Sequence, residues 1–362
     1  MELDLALCRR YLTHDKDFWD EARRALSTLE NEPLFLQALA QLQKAMKTDN
    51  LLLAQSVCSG CFTALHTAYD DESLAYLAPC LLLALCLPAG IARMREAGAD
   101  ETMLRDTLAD FSRWETLLSR ETGFRGVKNP SWLLYPYVGS LLQIGRLQYE
   151  TYLYPLPYAL YRRRNSGELL CLCVKPLACD RNGRPLDAGN DPNGFSTVFS
   201  RTGGIITATA ADLTHGVFMR EPIQISAPEW DLLLVQGQQV INLHIPRCGP
   251  LTPEAVDESL ARARSFFAQR HIPSHIAVCD SWLLDPSLSH IAAPESNISR
   301  FMHRFYKYPV LADSSAVNYL FDNGPLDPAA LAARAKTSIQ RRCAAYLIGG
   351  GRLYDTGGFL LL

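Results

Sequence analysis

The side chains best suited to chemistry fall on three short stretches of this 362-residue chain. His244 lies near the end of Gln239–Pro246 (QVINLHIP). Alternation there puts Val240, Asn242 and His244 on one face of a strand and Ile241, Leu243 and Ile245 on the other. A neutral imidazole at a strand end can take a proton from an attacking nucleophile, or serve as a structural partner for a backbone group. Cys279 and Ser281 share a face on the next stretch, Ile276–Ser281, where a free cysteine can also be a small buried hydrophobe. Glu150, in GRLQYE (145–150), offers a carboxylate base or, the reading we prefer, a partner for Arg146. Cys58 and Cys61 form a C-x-x-C, but redox use needs a βαβ setting and zinc needs two further ligands. Cys171, Cys173 and Cys179 do not supply them at a zinc spacing. Gly349-Gly350-Gly351 reads as a helix stop, since no helix starts after it. Neither a nucleophile elbow, an H-E-x-x-H helix, a Walker loop nor a dinucleotide fingerprint occurs, which argues against hydrolase, zinc protease, NTPase and dehydrogenase chemistry.

The elements that must position these groups separate into two textures. Apolar residues recur at helical spacing through 2–12, 17–29, 33–47, 50–69, 73–96 and 101–119, with Asp100 as an N-cap and Gly98 as a stop. This predicts an all-α domain over 1–125, closed by the hinge TGFRGVKNPSW, and a second domain over 126–362. In the second, Leu141–Tyr154 reads as a strand pair, and Ala159–Arg164 with Glu168–Lys175 as a hairpin around Asn165-Ser166-Gly167. Residues 179–203 read as loop, Gly204–Thr209 as a strand and Ala227–Leu234 as a short helix. After QVINLHIP, Thr252 caps a helix whose first residue is Pro253 and whose buried stripe is Val256, Leu260, Ala263 and Phe267. Ser296 and Asn297 open a helix within Glu295–Phe305. A strand around Tyr306–Val310, a helix over 329–347 and a terminal strand in GGFLLL complete an α+β chain.

Composition narrows the function classes. Apolar residues make up 48% and charged residues 20%, enough for a real core, and the net charge is −3. That balance carries no basic excess for nucleic acid or an anionic membrane. Ser73–Ala92 is uncharged over a membrane-spanning length, but Pro79 and Pro88 and its amphipathic neighbours predict a buried helix of a bundle. The acidic start MELDLALCRRYL lacks the features of a signal peptide, and eleven scattered cysteines fit reduced thiols, so a cytoplasmic location is expected.

Five stretches in order carry a resemblance: GRLQYE (145–150), LHIPRCGPLTPEAVDESLARARSFF (243–267), CDSWLLDP (279–286), PESNISRFMHRFYKYPV (294–310) and TSIQRRCAAYLIGGG (337–351). Together they resemble bacterial acyltransferase-domain proteins that join a helical N-terminal domain to a C-terminal domain like the GNAT (GCN5-related N-acetyltransferase) fold, with a largely antiparallel central sheet. The resemblance implies an acyl-CoA co-substrate, acetyl-CoA first among them, and a small-molecule or peptide amine acceptor. In that fold the pantetheine pairs with a central strand that splays from its neighbour, and the pyrophosphate rests on the loop before the next helix. It maps the central strand to Gln239–Pro246, with Leu243 and Ile245 along the pantetheine. The splayed neighbour maps to Ile276–Ser281 and the phosphate loop to Arg247, Cys248, Gly249, Leu251 and Thr252. Asn297, Arg300 and Arg304 would add contacts, with His303 in the same turn. His244 or Glu150 would accept the amine proton, and Cys279 or Ser281 would return one to the departing thiolate. The usual loop is Q/R-x-x-G-x-G/A. Here it holds one glycine and Pro250, which removes a donor, while Glu254, Asp257 and Glu258 in the following turn oppose a phosphate. Those departures leave open a catalytically silent GNAT-like binding or scaffolding protein.

Overall fold

The computed structural model describes residues 1–47, 51–189, 191–273, 275–311, 315–321 and 327–362, and leaves the side chains of 51–55, 57 and 58 outside the description. Cys58 is therefore outside the described residues. The chain forms two units, one of Met1–Glu150 with His244–Gly249, the other of Thr151–Leu243 with Pro250–Leu362.

Helices dominate the first unit: α1 (Leu5–Tyr11), α2 (Lys16–Leu29), α3 (Pro33–Ala45), α4 (Leu51–Ala68), α5 (Glu72–Glu96), α6 (Glu101–Leu108), α7 (Asp110–Thr122) and α8 (Leu134–Tyr137), then the hairpin β1 (Leu141–Ile144) and β2 (Leu147–Leu153). Acidic N-caps start several of them. Asp15 accepts from the amides of Asp17 and Phe18, Asp71 from Ser73 and Asp100 from Met103. Gly123, at φ +79°, ends α7 in the left-handed conformation that only glycine enters without strain. The helix expected over 101–119 breaks at Ala109 into α6 and α7. The uncharged stretch becomes α5, which has the length and hydropathy of a membrane span. In the unit 72% of its most apolar window is buried, against α1, α2, α3, α4 and α8. That tertiary packing holds two internal prolines in a helix they would otherwise break. Phe18, Trp19 and Phe111 form an aromatic knot beside it, and the Trp19 indole donates to the Thr13 carbonyl at 2.8 Å.

The second unit is built on strands: β3 (Tyr158–Arg163), β4 (Leu169–Cys173), β5 (Ala178–Cys179), β6 (Phe195–Ser196), β7 (Phe199–Thr202), β8 (Ile205–Ala208), β9 (Ala211–Asp212), β10 (Val217–Phe218), β11 (Ile223–Ser226), β12 (Trp230–Val235) and β13 (Gln239–His244). Then follow α9 (Pro253–Ala268), β14 (Ile276–Ser281), α10 (Leu288–Ile291), α11 (Asn297–Met302), β15 (Tyr306–Tyr308), α12 (Ala316–Phe321), α13 (Pro328–Arg334), α14 (Ser338–Ile348) and β16 (Thr356–Leu361). The fold is α+β, as the residue patterns imply. Three readings change. Ala227–Leu234 is a single 3-10 turn over Ala227–Glu229 followed by β12, because Trp230, Leu232 and Leu234 pair along β3 rather than coil. The helix over 329–347 divides at Ala335. Thr337 and Gln340 close a capping box there, which starts α14 afresh. The loop 179–203 contains parts of three short strands.

One sheet matters for function. The terminal strand β16 runs antiparallel to β14 in continuous register from Ile276 opposite Leu361 to Ser281 opposite Thr356. On its other side β16 pairs with β15, from Tyr306 opposite Phe359 to Tyr308 opposite Gly357. Gly357 and Gly358 are required at this seam: a Cβ on the first would enter the Tyr308 ring, and one on the second would meet Leu284 and Phe305 at 2.8 Å. Tyr154, Tyr158, Tyr308 and Phe359 fill the core on one side of this sheet with Cys171, Cys173 and Val278.

Candidate active site

In the first unit His244 ends its strand with a side chain 26% exposed, and its Nε2 lies 2.9 Å from Oε2 of Glu150, whose side chain is 6% exposed. Glu150 reaches this place because β1–β2 is a short hairpin, with Leu141 opposite Glu150 and Gln143 opposite Gln148. An ionised carboxylate only accepts, so the pair puts the imidazole hydrogen on Nε2 and leaves the Nδ1 lone pair free to take a proton. Trp132 stands against the same ring, with centroids 4.9 Å apart and planes at 74°. Tyr135 packs on Trp132 at 5.1 Å. Burial first, and the charge of Glu150 second, push the Tyr135 phenol above its ordinary pKa.

Glu150 thus has in His244 a partner that the sequence reading did not assign to it. The Arg146 guanidinium donates to the carbonyls of Pro246 at 3.0 Å and Gly249 at 2.7 Å, and its Nη1 lies 3.5 Å from the Cys248 sulfur. Gln143 approaches that sulfur at 3.5 Å from the other strand of the hairpin. Both side chains hold the segment that follows His244 in a fixed course, with Gly249 at φ +122°.

In the second unit the connection β13–α9–β14 is parallel, and among the described residues its ladder has Ile241 opposite Ala277 and Asn242 opposite Val278. Cys279, Asp280 and Ser281 continue in register with β16. The β13–β14 ladder therefore ends where the resemblance places the splay. Cys279 is not placed to act there as an acid. It is 1% exposed, and burial pushes its thiol well above the ordinary value, so its role is packing. Ser281 is half-buried, and its Oγ accepts the Leu283 amide at 3.1 Å, which leaves the hydroxyl hydrogen to donate. On the opposite face of β14, Asp280 is exposed and accepts the phenol of buried Tyr308 at 2.8 Å.

Thr252 caps α9 and Pro253 occupies its first turn, as their types require. Leu260, expected in the buried stripe of that helix, is half-buried, and Ser259 and Phe266 are buried instead. An open depression of about 510 Å³ lies at the start of α9, lined by Pro253, Pro294, Arg300, His303 and Arg304. Arg300 is bound to Glu295 at 2.8 Å and Arg304 to Asp257, so part of the positive charge there is already shared. Ser296 caps α11 through the Ser299 amide, which places Asn297 as its first residue. Leu251 is buried, while Arg247 and Gly249 are exposed and Ile245 half-buried. No cluster of three or more His, Cys, Asp or Glu arranged for a metal occurs among the described residues.

Residues 7–139 match the N-acyltransferase N-terminal domain, and residues 141–360, more than half of the chain, match the GNAT-like C-terminal domain. The chain belongs to the GNAT-like C-terminal domain family. In this N-acyltransferase architecture Trp132 lies in the N-terminal match and Glu150 and His244 in the GNAT-like one. Solved structures with a similar fold include an acyltransferase in complex with decanoyl-CoA and teicoplanin, 19% identical at a TM-score of 0.52, with 95% of this chain and 88% of that one covered. An acyltransferase in complex with decanoyl-CoA is 17% identical at 0.52, covering 95% and 99%. An acyltransferase mutant in complex with octanoyl-CoA is 18% identical at 0.52, covering 95% and 88%. No curated protein matches the chain.

Sequence reasoning missed Asp110, Trp132 as a partner of His244, Tyr135 and Gln148. The signal for them was weak. Asp110 interrupts an apolar helical pattern between Leu108 and Phe111, and Gln148 is a polar residue in the buried first half of β2.

Proposed function

We propose that the chain transfers an acyl group from acyl-CoA to the amine of a small-molecule acceptor. The observation that carries this reading is the ladder of β13 and β14, which stops after Asn242 and Val278 while β14 stays fully paired with β16. A wedge opening beyond those pairs would present peptide groups to the amide-rich pantetheine arm, and the Arg300 guanidinium in the depression at the start of α9 suits its phosphates. The amine attacks the thioester carbonyl, the C–N bond forms, and the C–S bond breaks as the tetrahedral intermediate collapses. His244 takes the amine proton on Nδ1 with Glu150 fixing the ring, and the CoA thiolate leaves as the anion or takes a proton from solvent, with the Ser281 hydroxyl available to donate a hydrogen bond to the sulfur. The octanoyl- and decanoyl-CoA of the structural neighbours support a medium acyl chain over the acetyl group first expected, and the teicoplanin of one supports a small-molecule acceptor. Free cysteines throughout the described residues support a reducing compartment.

The test is release of free CoA thiol from acetyl-, octanoyl- and decanoyl-CoA with a panel of primary amines, teicoplanin included. Amine-dependent release, fastest with octanoyl or decanoyl chains and lost in His244→Ala, is expected. Uniform absence of release, with no binding of any of the three at millimolar concentration, removes the proposal. It would favour the silent scaffold that the single-glycine loop and the carboxylates Glu254, Asp257 and Glu258 suggest.

A further inference from the structure

We propose that Asp110, on helix α7 of the N-terminal domain, is a positioning residue for His244 that acts through Trp132 and Gln148. Its catalytic consequence rests on His244 being the base. The geometry itself stands independently and lies wholly within the first unit.

Asp110 is 4% exposed and carries three donors. Its Oδ2 accepts the Trp132 indole N–H at 3.1 Å and the Gln148 side-chain amide at 2.6 Å, and its Oδ1 pairs with Arg113. Arg113 also reaches Gln143 Oε1 at 3.3 Å. Each of the two neutral donors leads to His244 by a separate route. Trp132 lies against the imidazole at 4.9 Å. Gln148 is two residues before Glu150 on β2 and therefore shares its face, and Glu150 holds Nε2 at 2.9 Å. The contacts close into a loop from Asp110 through Trp132, His244, Glu150 and the β2 backbone to Gln148 and back to Asp110. A carboxylate in a buried place with these donors around it is not replaceable by an apolar residue without orphaning the Trp132 indole N–H and the Gln148 amide. One oxygen thus sets the indole and the strand face together, which fixes the imidazole on two sides. The helical domain thereby supplies the anchor that holds the base in a single orientation.

The test uses the full chain and the variants Asp110→Leu, Asp110→Asn and Trp132→Phe, each checked for cooperative thermal unfolding. The first readout is the long-range 1H–15N NMR pattern of the His244 ring, assigned by its loss in His244→Gln. The native ring is expected in one tautomer, protonated at Nε2. Asp110→Leu should shift it toward a mixture, Trp132→Phe should do so in part, and Asp110→Asn, which keeps an oxygen acceptor, should restore most of the native pattern. The second readout is turnover of decanoyl-CoA with an amine that gives thiol release. Asp110→Leu should lower kcat about tenfold and leave the KM for decanoyl-CoA within about twofold. If Asp110→Leu fails to fold, Trp132→Phe alone decides the ring readout. An unchanged His244 pattern in every folded variant overturns the proposal. A shifted pattern with unchanged kcat supports the positioning and removes instead the reading of His244 as the base.

Discussion

Replacing Glu150 by glutamine tests the site at the polar contact that touches the His244 ring. The carboxylate is 6% exposed and meets His244 Nε2 at 2.9 Å, the separation of a short charge-assisted hydrogen bond. Such bonds contribute about 1.5–3 kcal/mol. At about 1.4 kcal/mol per tenfold in rate, their loss in the transition state lowers kcat by about 10- to 150-fold. Glutamine keeps the shape and the packing but presents an N–H2 that can donate to Nε2. The neutral ring then carries its hydrogen on Nδ1, the nitrogen that should accept the amine proton. The assay is thiol release from decanoyl-CoA at saturating acceptor, with KM for decanoyl-CoA measured alongside. The expected result is a fall in kcat of that size with KM within about twofold, since Glu150 touches the base rather than the CoA. A folded Glu150→Gln protein with kcat within a factor of two of native refutes the reasoning.

Other consequences are independent of the acceptor. Gly357→Ala drives a methyl into the Tyr308 ring and should destabilise the protein by about 1–3 kcal/mol or more in denaturant unfolding, whereas an unchanged midpoint contradicts the β15–β16 packing. In a Cys58→Ser background Cys248 should be the first described thiol to react with an aromatic disulfide, because the other described cysteines are buried. A fast phase that persists in Cys248→Ser shows the loop to be misplaced. Glu101 accepts from Arg10, Tyr11 and Arg105, which hold its carboxyl at about 2. A depressed folded value means a contribution present above the ordinary carboxylate range and lost as pH falls from about 4.5 toward 2. The melting-temperature gap between native protein and Glu101→Gln should therefore close over that window, and a gap independent of pH contradicts the assignment.

The parts of the fold legible in the residues were those with local physical causes. Thr252-Pro253 and Asp100 mark helix starts because an oxygen acceptor and a missing N–H belong there. Alternation in QVINLHIP and in IAVCDS marks strands, and Asn165–Gly167 marks a hairpin between β3 and β4. Where local signals competed, the reading slipped. Ala227–Leu234 is short and leucine-rich, and only its pairing with β3 makes it a strand. The break at Ala335 has neither proline nor glycine to announce it, although Thr337 and Gln340 carry a capping box in plain sight. Glu150 and His244 were each legible as candidates, but their pairing spans 94 residues of chain and needed the register of β1–β2. Asp110 was invisible for the same reason, since its three donors come from its own helix, a turn and a strand.

A crystal structure of the chain with decanoyl-CoA would show whether a wedge opens between β13 and β14 and what fills it. The pantetheine arm is expected between Leu243 and Cys279, bonded to backbone beyond the pairs Ile241–Ala277 and Asn242–Val278, with the phosphates at Arg300 and His303. A ligand bound elsewhere, or strands paired onward through Leu243 and Cys279 with no room for it, contradicts the claim.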